Sequence, residues 1–502
     1  MTPENKKTRQ EIYAENASRK LAAKQEEERK RKRSNARYTI IGTIVVVLIV
    51  LVLILNSNLP YRATALTVDG EKYSVTDVNY FYYGQYYEFR NQNASYINYL
   101  IDVNTPLNKQ QYDDETTWAD YFKDQAVDAI EQMQMLCAAA EADGVTLSDE
   151  NKAAIDESIE TLKGYAKTNG MSLKQYLIAA YGRGTTEKSI RSIMEKTYLA
   201  AQYSQTALDS FTYTPEQLTA YYSDHADEFD TILYAYYRCD GSIDTEDMSE
   251  EAAAVAKQAA VAEAQDLADE IILAAGSTEQ TFTDAVDTLA NDTIISTSSQ
   301  GNNLSAVYGD WLLDRARTAG NTTVIDTDDG AYVVMFLGRD NNDYEMKSVR
   351  HILITVEAND DGDYTDEALA AAKQKAEDVL AEWKAGEATE DSFAELANQY
   401  SEDPGSNASG GLYTNVVKHQ MVEPFENFCF NEDHTYGDTA IVYAESAQYH
   451  GFHVMYYVGD AGNYADSLAK NAMLSADYSA WEESKMGEPT VVRGGAMRRV
   501  GN

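Results

Sequence analysis

Eighteen uncharged residues, Tyr38 to Leu55, constrain this chain more than any other stretch. They are almost all Ile, Val and Leu, broken by Thr39, Gly42 and Thr43. At a 1.5 Å rise per residue a helix of that length covers roughly 27 Å, close to the hydrocarbon thickness of a bilayer. Arg29-Lys30-Arg31-Lys32-Arg33 and Arg37 lie just before it, which keeps the N-terminus on the cytoplasmic side and sends the rest across. The expectation is a cytoplasmic basic tail over 1–37 and a single transmembrane helix over 38–56. The rival is a cleaved leader, with small residues at Ala63-Thr64-Ala65; the long basic n-region and the length of the apolar run stand against it. No cysteine closely follows the run, which argues against a lipoprotein anchor.

The 502 residues exceed one ordinary core and suggest three or four domains. The net charge of −41 conceals a polarity: residues 1–37 carry +6, so the remainder carries −47. An acidic body of that size argues against nucleic acid as a partner. Cys137, Cys239 and Cys429 are far apart and odd in number, with no disulfide framework and no zinc spacing. Cys137 and Cys429 sit in apolar helical patterns and read as core thiols.

After the apolar run, Leu66-Thr67-Val68-Asp69-Gly70-Glu71-Lys72-Tyr73 predicts two short strands about an Asp-Gly turn. A tyrosine-rich helix comes next, then a periodic helix with Trp118, Phe122, Ala126, Ile130, Met133 and Cys137 on one face. Tyr80, Tyr82, Tyr83, Tyr86 and Tyr87, with Phe81 and Phe89 between them, allow two readings: core cover, or an amphipathic surface for clients. Further helices occupy 148–168, 172–181 and 185–211. Thr214-Pro215-Glu216-Gln217 is a capping box with Pro at the first helical position.

One segment reads as chemistry. It opens on the strand Val349-Arg350-His351-Ile352-Leu353-Ile354 and continues through a helix begun by Thr365-Asp366-Glu367. Next comes Phe393-Ala394-Glu395-Leu396-Ala397-Asn398-Gln399-Tyr400-Ser401-Glu402-Asp403-Pro404-Gly405-Ser406, its helix read as capped by a box at Ser392. Gly410-Gly411-Leu412-Tyr413 and Gln420-Met421-Val422-Glu423-Pro424-Phe425 come after it, and Gly451-Phe452-His453-Val454-Met455-Tyr456-Tyr457-Val458-Gly459 closes the segment. In that order and spacing the segment resembles a parvulin-type peptidyl-prolyl isomerase domain. The hairpin, the helices and the Thr-Pro-Glu-Gln-Leu-Thr-Ala-Tyr-Tyr run upstream resemble the N-terminal domain of SurA/PrsA-type foldases.

An internal repeat precedes this segment. A strand at Thr231–Arg238, an Ala-rich helix from Glu251 to Ala275, short helices at Phe282–Leu289 and Tyr308–Thr318, and the strand Gly330–Gly338 repeat its pattern. This first copy holds no histidine, since His351 is the next after His225, and it lacks the Gly-Gly loop and the Met-x-x-Pro-Phe element. The expected fold is α+β. A mostly helical SurA-like domain spans 62–228 and is completed by 462–490, a degenerate parvulin-like domain spans 229–341, and a parvulin-type domain spans 346–460. Residues 491–502 are expected to be a flexible tail.

The resemblance implies a prolyl isomerase, with His351 and His453 as adjacent imidazoles and Asp403 where parvulins carry Cys or Asp. Met421 and Phe425, four residues apart, suit one wall of a proline-sized pocket; Leu412, Tyr413 and Val422 lie beside it. A metal pair at His450 and His453 is disfavoured, because odd spacing alternates strand faces. No metal and no cofactor are expected. Many parvulins read Gly-Gly-Asp-Leu-Gly where this chain has Gly410-Gly411-Leu412-Tyr413-Thr414, Gln at Val422, and Ser or Thr at His450. No Lys/Arg cluster follows His351, which argues against phospho-dependent recognition. The implied role is a membrane-anchored, extracytoplasmic isomerase acting on unfolded or exported polypeptides with X-Pro bonds. The alternative is an anchored holdase without isomerase activity; a third reading is an assembly factor with one fixed partner. Oligomeric state is not legible.

Overall fold

The computed structural model describes residues 59–501 apart from 247, 360, 361, 447, 448 and 486. The apolar segment 38–56 and the basic tail lie outside the described residues. Among those described, no helix is long and apolar enough to cross a membrane. Two compact units emerge, one made of residues up to Thr212 together with Ala476–Asn502, the other of Tyr213–Ser475.

The first unit is mainly helical. Its hairpin pairs β1 (Thr64–Val68) with β2 (Glu71–Ser74), and Asp69 and Gly70 at the turn both have positive φ, 47° and 87°. Ser74 then caps the helix Val75–Gln92 in a reciprocal box with Asp77. Of its tyrosines, Tyr82 and Tyr87 are buried, while Tyr80, Tyr83 and Tyr86 pack against the same core. The helix Trp118–Ala142 turns Trp118, Phe122, Ala126, Ile130 and Met133 into that core, on the face its 3.6-residue period marks. Aromatic edges meet there, with Phe122 5.4 Å from Tyr86 and 5.6 Å from Phe89.

The second unit contains two four-stranded antiparallel sheets of one topology. In the first copy, β3 (Thr231–Asp240), β4 (Ile295–Gln300), β5 (Asn321–Thr327) and β6 (Gly330–Asp340) are ordered β4-β3-β6-β5. In the second, β7 (Glu345–Thr355), β8 (Leu412–Val416), β9 (Thr439–Glu445) and β10 (His450–Asn463) are ordered β8-β7-β10-β9. Each copy runs strand, long helix, short helix, edge strand, one short helix, edge strand, closing strand. The central pair of each is its first and last strand, the two that the sequence pattern marks. The first copy's edge strands, β4 and β5, are poor in apolar residues and carry no comparable signal.

Alternation divides the second copy's sheet into two faces. Ile352, Ile354, Val454 and Tyr456 face the helices Asp366–Ala385 and Glu390–Tyr400, meeting Ala372, Ala376, Val379, Trp383, Phe393 and Ala397. Val349, Met455 and Tyr457 face the other way, onto Phe425, Phe428 and Cys429 of the short helix Glu423–Cys429. The histidines belong to this second face.

Three expectations are corrected. The cap of Glu390–Tyr400 is Thr389 with Ser392 at its third position, so Ser392 closes the box rather than opening it. The helix expected over 308–318 is confined to Gly309–Leu313. The tail is not flexible: β11 (Val491–Arg493) pairs with β1, and Ala496, Met497 and Val500 are buried in the first unit's core. Gly494 N–H donates to Ala65 O (2.8 Å) and Gly501 N–H to Asn79 Oδ1 (2.9 Å). Three apolar side chains scattered through a basic run give no local period, so only the long-range pairing orders them. Met497→Ala should therefore lower the first unit's stability by about 2–3 kcal/mol. Val492→Ala, at a side chain 55% exposed, should change it by less than about 0.5 kcal/mol. Urea unfolding followed by tryptophan fluorescence reads both, and equal, negligible effects would return the tail to a frayed state.

Candidate active site

His351 on β7 pairs with Met455 of β10, and His453 pairs with Leu353, so the two histidines stand diagonally on one sheet face. Both are 3% exposed. Their Nδ1 atoms are 3.0 Å apart, and the rings lie 5.2 Å apart, 25° from parallel. His351 Nε2 lies 2.9 Å from Asp403 Oδ2 and 3.1 Å from Ser406 Oγ. Asp403 also accepts from Ser406 Oγ (2.5 Å), Tyr413 Oη (3.1 Å) and Gly405 N–H (3.0 Å). At the far end, Tyr449 Oη lies 3.0 Å from His453 Nε2.

Donor logic fixes the protons. A carboxylate only accepts, so His351 Nε2 carries a hydrogen toward Asp403. With one proton on each ring, His351 Nδ1 is then an acceptor, and His453 Nδ1–H donates to it. His453 Nε2 is left to accept from the Tyr449 hydroxyl. The chain Tyr449→His453→His351→Asp403 therefore has one direction, and every ring nitrogen has a partner. The hydrogen bond from His351, aided by Ser406 and the Gly405 amide, holds the Asp403 carboxyl well below the usual carboxylate range. Burial, reinforced by the neighbouring His351, pushes the His453 imidazole down to about 3, while Asp403 pulls weakly the other way.

Local structure explains each placement. Ser401, at the end of the helix Glu390–Tyr400, accepts Leu353 N–H (3.1 Å) and Asp403 N–H (3.4 Å) on its hydroxyl, tying the acid loop to the histidine strand. The loop then passes hard against β7, where His351 N–H donates to Gly411 O at 2.8 Å. Gly411 has φ +69°, and a Cβ there would stand 2.1 Å from His351 O, so the contact requires glycine. Phe425 sets its ring edge-on against both imidazoles, at 5.3 and 5.4 Å. Gly451 leaves the strand face open beneath Tyr449, whose ring would lie 3.3 Å from a Cβ at that position.

Of the residues singled out from sequence, His351, Asp403, His453, Phe425 and Tyr413 converge. Met421 and Val422 are half-buried against the Phe425 cluster. Leu412 does not join them: it pairs with Arg350, while Tyr413 pairs with Val349, so alternation turns Leu412 to the opposite face. His450 likewise faces away, stacked 3.8 Å from Tyr364 and bonded to Tyr443 Oη (2.9 Å). Ser406 and Tyr449 were missed. Ser406 stands in the quoted motif without a role, and Tyr449 lies in the turn just before β10, four residues ahead of His453, where no strand pattern marks it. Among the described residues, no group of three or more His, Cys, Asp or Glu is placed to hold a metal ion.

The first copy answers the same positions differently. Aligning Gly330–Gly338 with Gly451–Gly459 puts Tyr332 where His453 stands, and sheet register then puts Tyr236 at the place of His351. Those two rings lie 6.1 Å apart, with Tyr308 5.6 and 5.7 Å from them.

The buried neutral His453 makes the domain acid-sensitive above the range where carboxylates titrate. Its unfolded form takes up a proton near 6.5 and its folded form only near 3, so the native state holds fewer protons between those values and stability rises with pH there. Unfolding by urea should show stability falling as pH drops below about 6.5, with this group adding at most about 1.4 kcal/mol per pH unit. His453→Gln should flatten the slope, and a wild-type curve already flat over that window would contradict the buried neutral ring.

Residues 332–457 match the family model described as the PPIC-type PPIASE domain. No curated protein matches the chain. Among solved structures, the peptidylprolyl isomerase PrsA of Bacillus anthracis is similar at 17% identity and a TM-score of 0.19, over 28% of this chain and 54% of that one, about half its length. The foldase protein PrsA of Streptococcus pneumoniae is similar at 11% identity and a TM-score of 0.26, over 75% of this chain and 89% of that one. A SurA-like chaperone of Campylobacter jejuni is similar at 11% identity and 0.16, over 55% and 82%. The domain match, covering both histidine strands and everything between them, carries the assignment: the chain contains a peptidyl-prolyl cis-trans isomerase domain of the parvulin type.

Proposed function

We propose that the chain is a foldase that speeds X-Pro isomerisation in exported polypeptides, from the outer side of the membrane that its N-terminal segment enters. The observation that carries the catalytic part is the directional chain from Tyr449 to Asp403, closed off by Phe425. His351, His453 and Asp403 are its catalytic residues. Met421, Phe425, Val422 and Tyr413 form the wall for the proline ring, and Leu412 supports the loop from the other face.

The chemistry needs no covalent step. Planar X-Pro is held by amide resonance, which places negative charge on the carbonyl oxygen and sets a barrier of about 18–20 kcal/mol. Water stabilises that charge-separated form. An apolar wall that excludes water removes this support, and the Asp403 anion near the carbonyl opposes the same charge build-up. The twisted transition state has lost the resonance and suffers neither effect, so the site favours it over the planar ground state. The histidines keep Asp403 ionised and fixed. Ser406 and Tyr413 direct their hydroxyls to Asp403 rather than to substrate.

The apolar run at 38–55 and the basic cluster before it support the anchor and its orientation. An acidic body of −47 beyond the tail supports clients that are neutral or basic. In a proline-peptide isomerisation assay, Met421→Ala and His453→Ala should each lower kcat/KM about tenfold, or about 1.4 kcal/mol of transition-state stabilisation. Folded wild-type protein that gives no acceleration while still suppressing client aggregation would make it a holdase.

A further inference from the structure

We propose that the histidine-free first copy is a brace for the substrate loop of the second, with Tyr344 as its positioning residue. Val417–Val422 joins β8 to the helix Glu423–Cys429 and carries Met421. This loop is held by few bonds of its own. The ladder between β7 and β8 ends with Val416 opposite Lys347, and the backbone is left-handed at Asn415 (φ 57°) and His419 (φ 66°). Within the second copy, His419 N–H donates to Glu426 Oε2 at 2.6 Å.

The other hydrogen bonds and the ion pair of Lys418 and His419 come from the first copy and the linker behind it. Lys418 N–H donates to Tyr344 Oη at 3.0 Å, and the Lys418 ammonium sits 4.4 Å above the Tyr344 ring. Ser298, on β4, donates its hydroxyl to His419 O at 3.4 Å. Asp340, the last residue of β6, lies 3.7 Å from His419 Nε2. The two residues directly ahead of Gln420 and Met421 are thus bonded to the other sheet and its linker.

A brace works only if it is itself rigid, and this one is. Tyr344 O accepts Tyr464 N–H at 2.9 Å, and its ring stands edge-on to Phe430 at 5.6 Å. Two residues earlier, Asn342 is 1% exposed and left-handed at φ 58°. Its Oδ1 accepts from Thr231 Oγ1 at 2.9 Å, and its Nδ2 donates to Phe229 O at 2.8 Å and Tyr222 Oη at 3.3 Å. A buried asparagine with both ends bonded leaves the linker no slack. Losing the histidines from the first copy therefore leaves this supporting role intact, since Ser298, Asp340 and Tyr344 lie outside its own site-equivalent face.

The functional meaning rests on the isomerase reading, so the test has an arm that does not. In the full chain, Tyr344→Phe keeps the ring and removes the acceptor for Lys418 N–H, and Ser298→Ala removes the second tie. Tyr344→Phe should raise hydrogen exchange across residues 417–421 at least tenfold, with a smaller rise in Ser298→Ala. In the peptide assay Tyr344→Phe should raise KM severalfold with kcat changed less than twofold, while the 15N signals of the His351 and His453 rings stay in place. Unchanged exchange in both variants would overturn the brace. Wild-type protein with no isomerase activity would overturn the catalytic reading, and exchange alone would then decide the brace.

Discussion

Two imidazoles buried side by side between β7 and β10 set the terms for the rest of the isomerase domain. Each ring brings two nitrogens into a face otherwise built from Val349, Met455, Tyr457 and Phe425, and an unpaired nitrogen there costs on the order of 1–3 kcal/mol. Pairing them with each other satisfies only one atom per ring. The remaining two must find partners at opposite ends, and the chain supplies Asp403 at one and Tyr449 at the other. That requirement reaches outward. Asp403 must come within hydrogen-bonding distance of a central strand, so Ser401 pins the turn and Gly411 lets the loop lie against the His351 carbonyl. At the opposite end, the Tyr449 hydroxyl reaches His453 beside Gly451, where a Cβ would crowd Leu353 at 2.8 Å and the Tyr449 ring at 3.3 Å.

Where the histidines are absent, as in the first copy, the requirement lapses and the scaffold persists. Strand order is the same in both sheets, and so is the succession of long helix, short helix and closing strand. Tyr236 and Tyr332 occupy the histidine positions, and a tyrosine ring is content in an apolar face if its single hydroxyl finds an exit. No acid has to be delivered to the sheet, so no Gly-Gly loop is needed, and the first copy has none. The scaffold tolerates both solutions because its stability comes from the opposite face, where Ala268, Ile271, Phe282 and Val286 in one copy fill the role of Ala376, Val379, Trp383 and Phe393 in the other.

Much of this was legible in the residues and some was not, and the division has a physical basis. Central strands announce themselves by β-branched and aromatic runs, which is why Val349–Ile354 and Gly451–Gly459 were readable and the polar edge strands β4 and β5 were not. Helix starts are set by local chemistry, as at Thr214 and Thr365; Ser392 misled because Thr389 and Ser392 both fit a cap and only the backbone decides between them. His351, Asp403, His453, Phe425 and Tyr413 came through a family likeness that preserves their order. Leu412 came with them and belongs to the other face, since a one-residue step along β8 reverses the side chain. Ser406 and Tyr449 act through hydroxyls whose partners lie far away in sequence or are reached from a turn that no strand pattern marks. The C-terminal strand β11 pairs with residues more than 400 positions earlier, and nothing local encodes that.

The chain's large negative charge and the lowered pKa of Asp403 pull in opposite directions, for a field of surface carboxylates raises the pKa of any acid within it. Distance resolves this. Surface charges act through water and salt, and at physiological ionic strength their influence fades over about 8 Å. The His351, Ser406 and Tyr413 bonds act within 3.1 Å, directly on the Asp403 carboxylate. The local donors win, and Asp403 stays ionised whatever the outer surface carries. Net charge is therefore free to vary for other ends, such as solubility or the steering of basic polypeptides toward the domain, without altering the proton pattern at the histidines. Charge on the surface sets the long-range field, and hydrogen bonds inside the sheet set the proton pattern at the histidines.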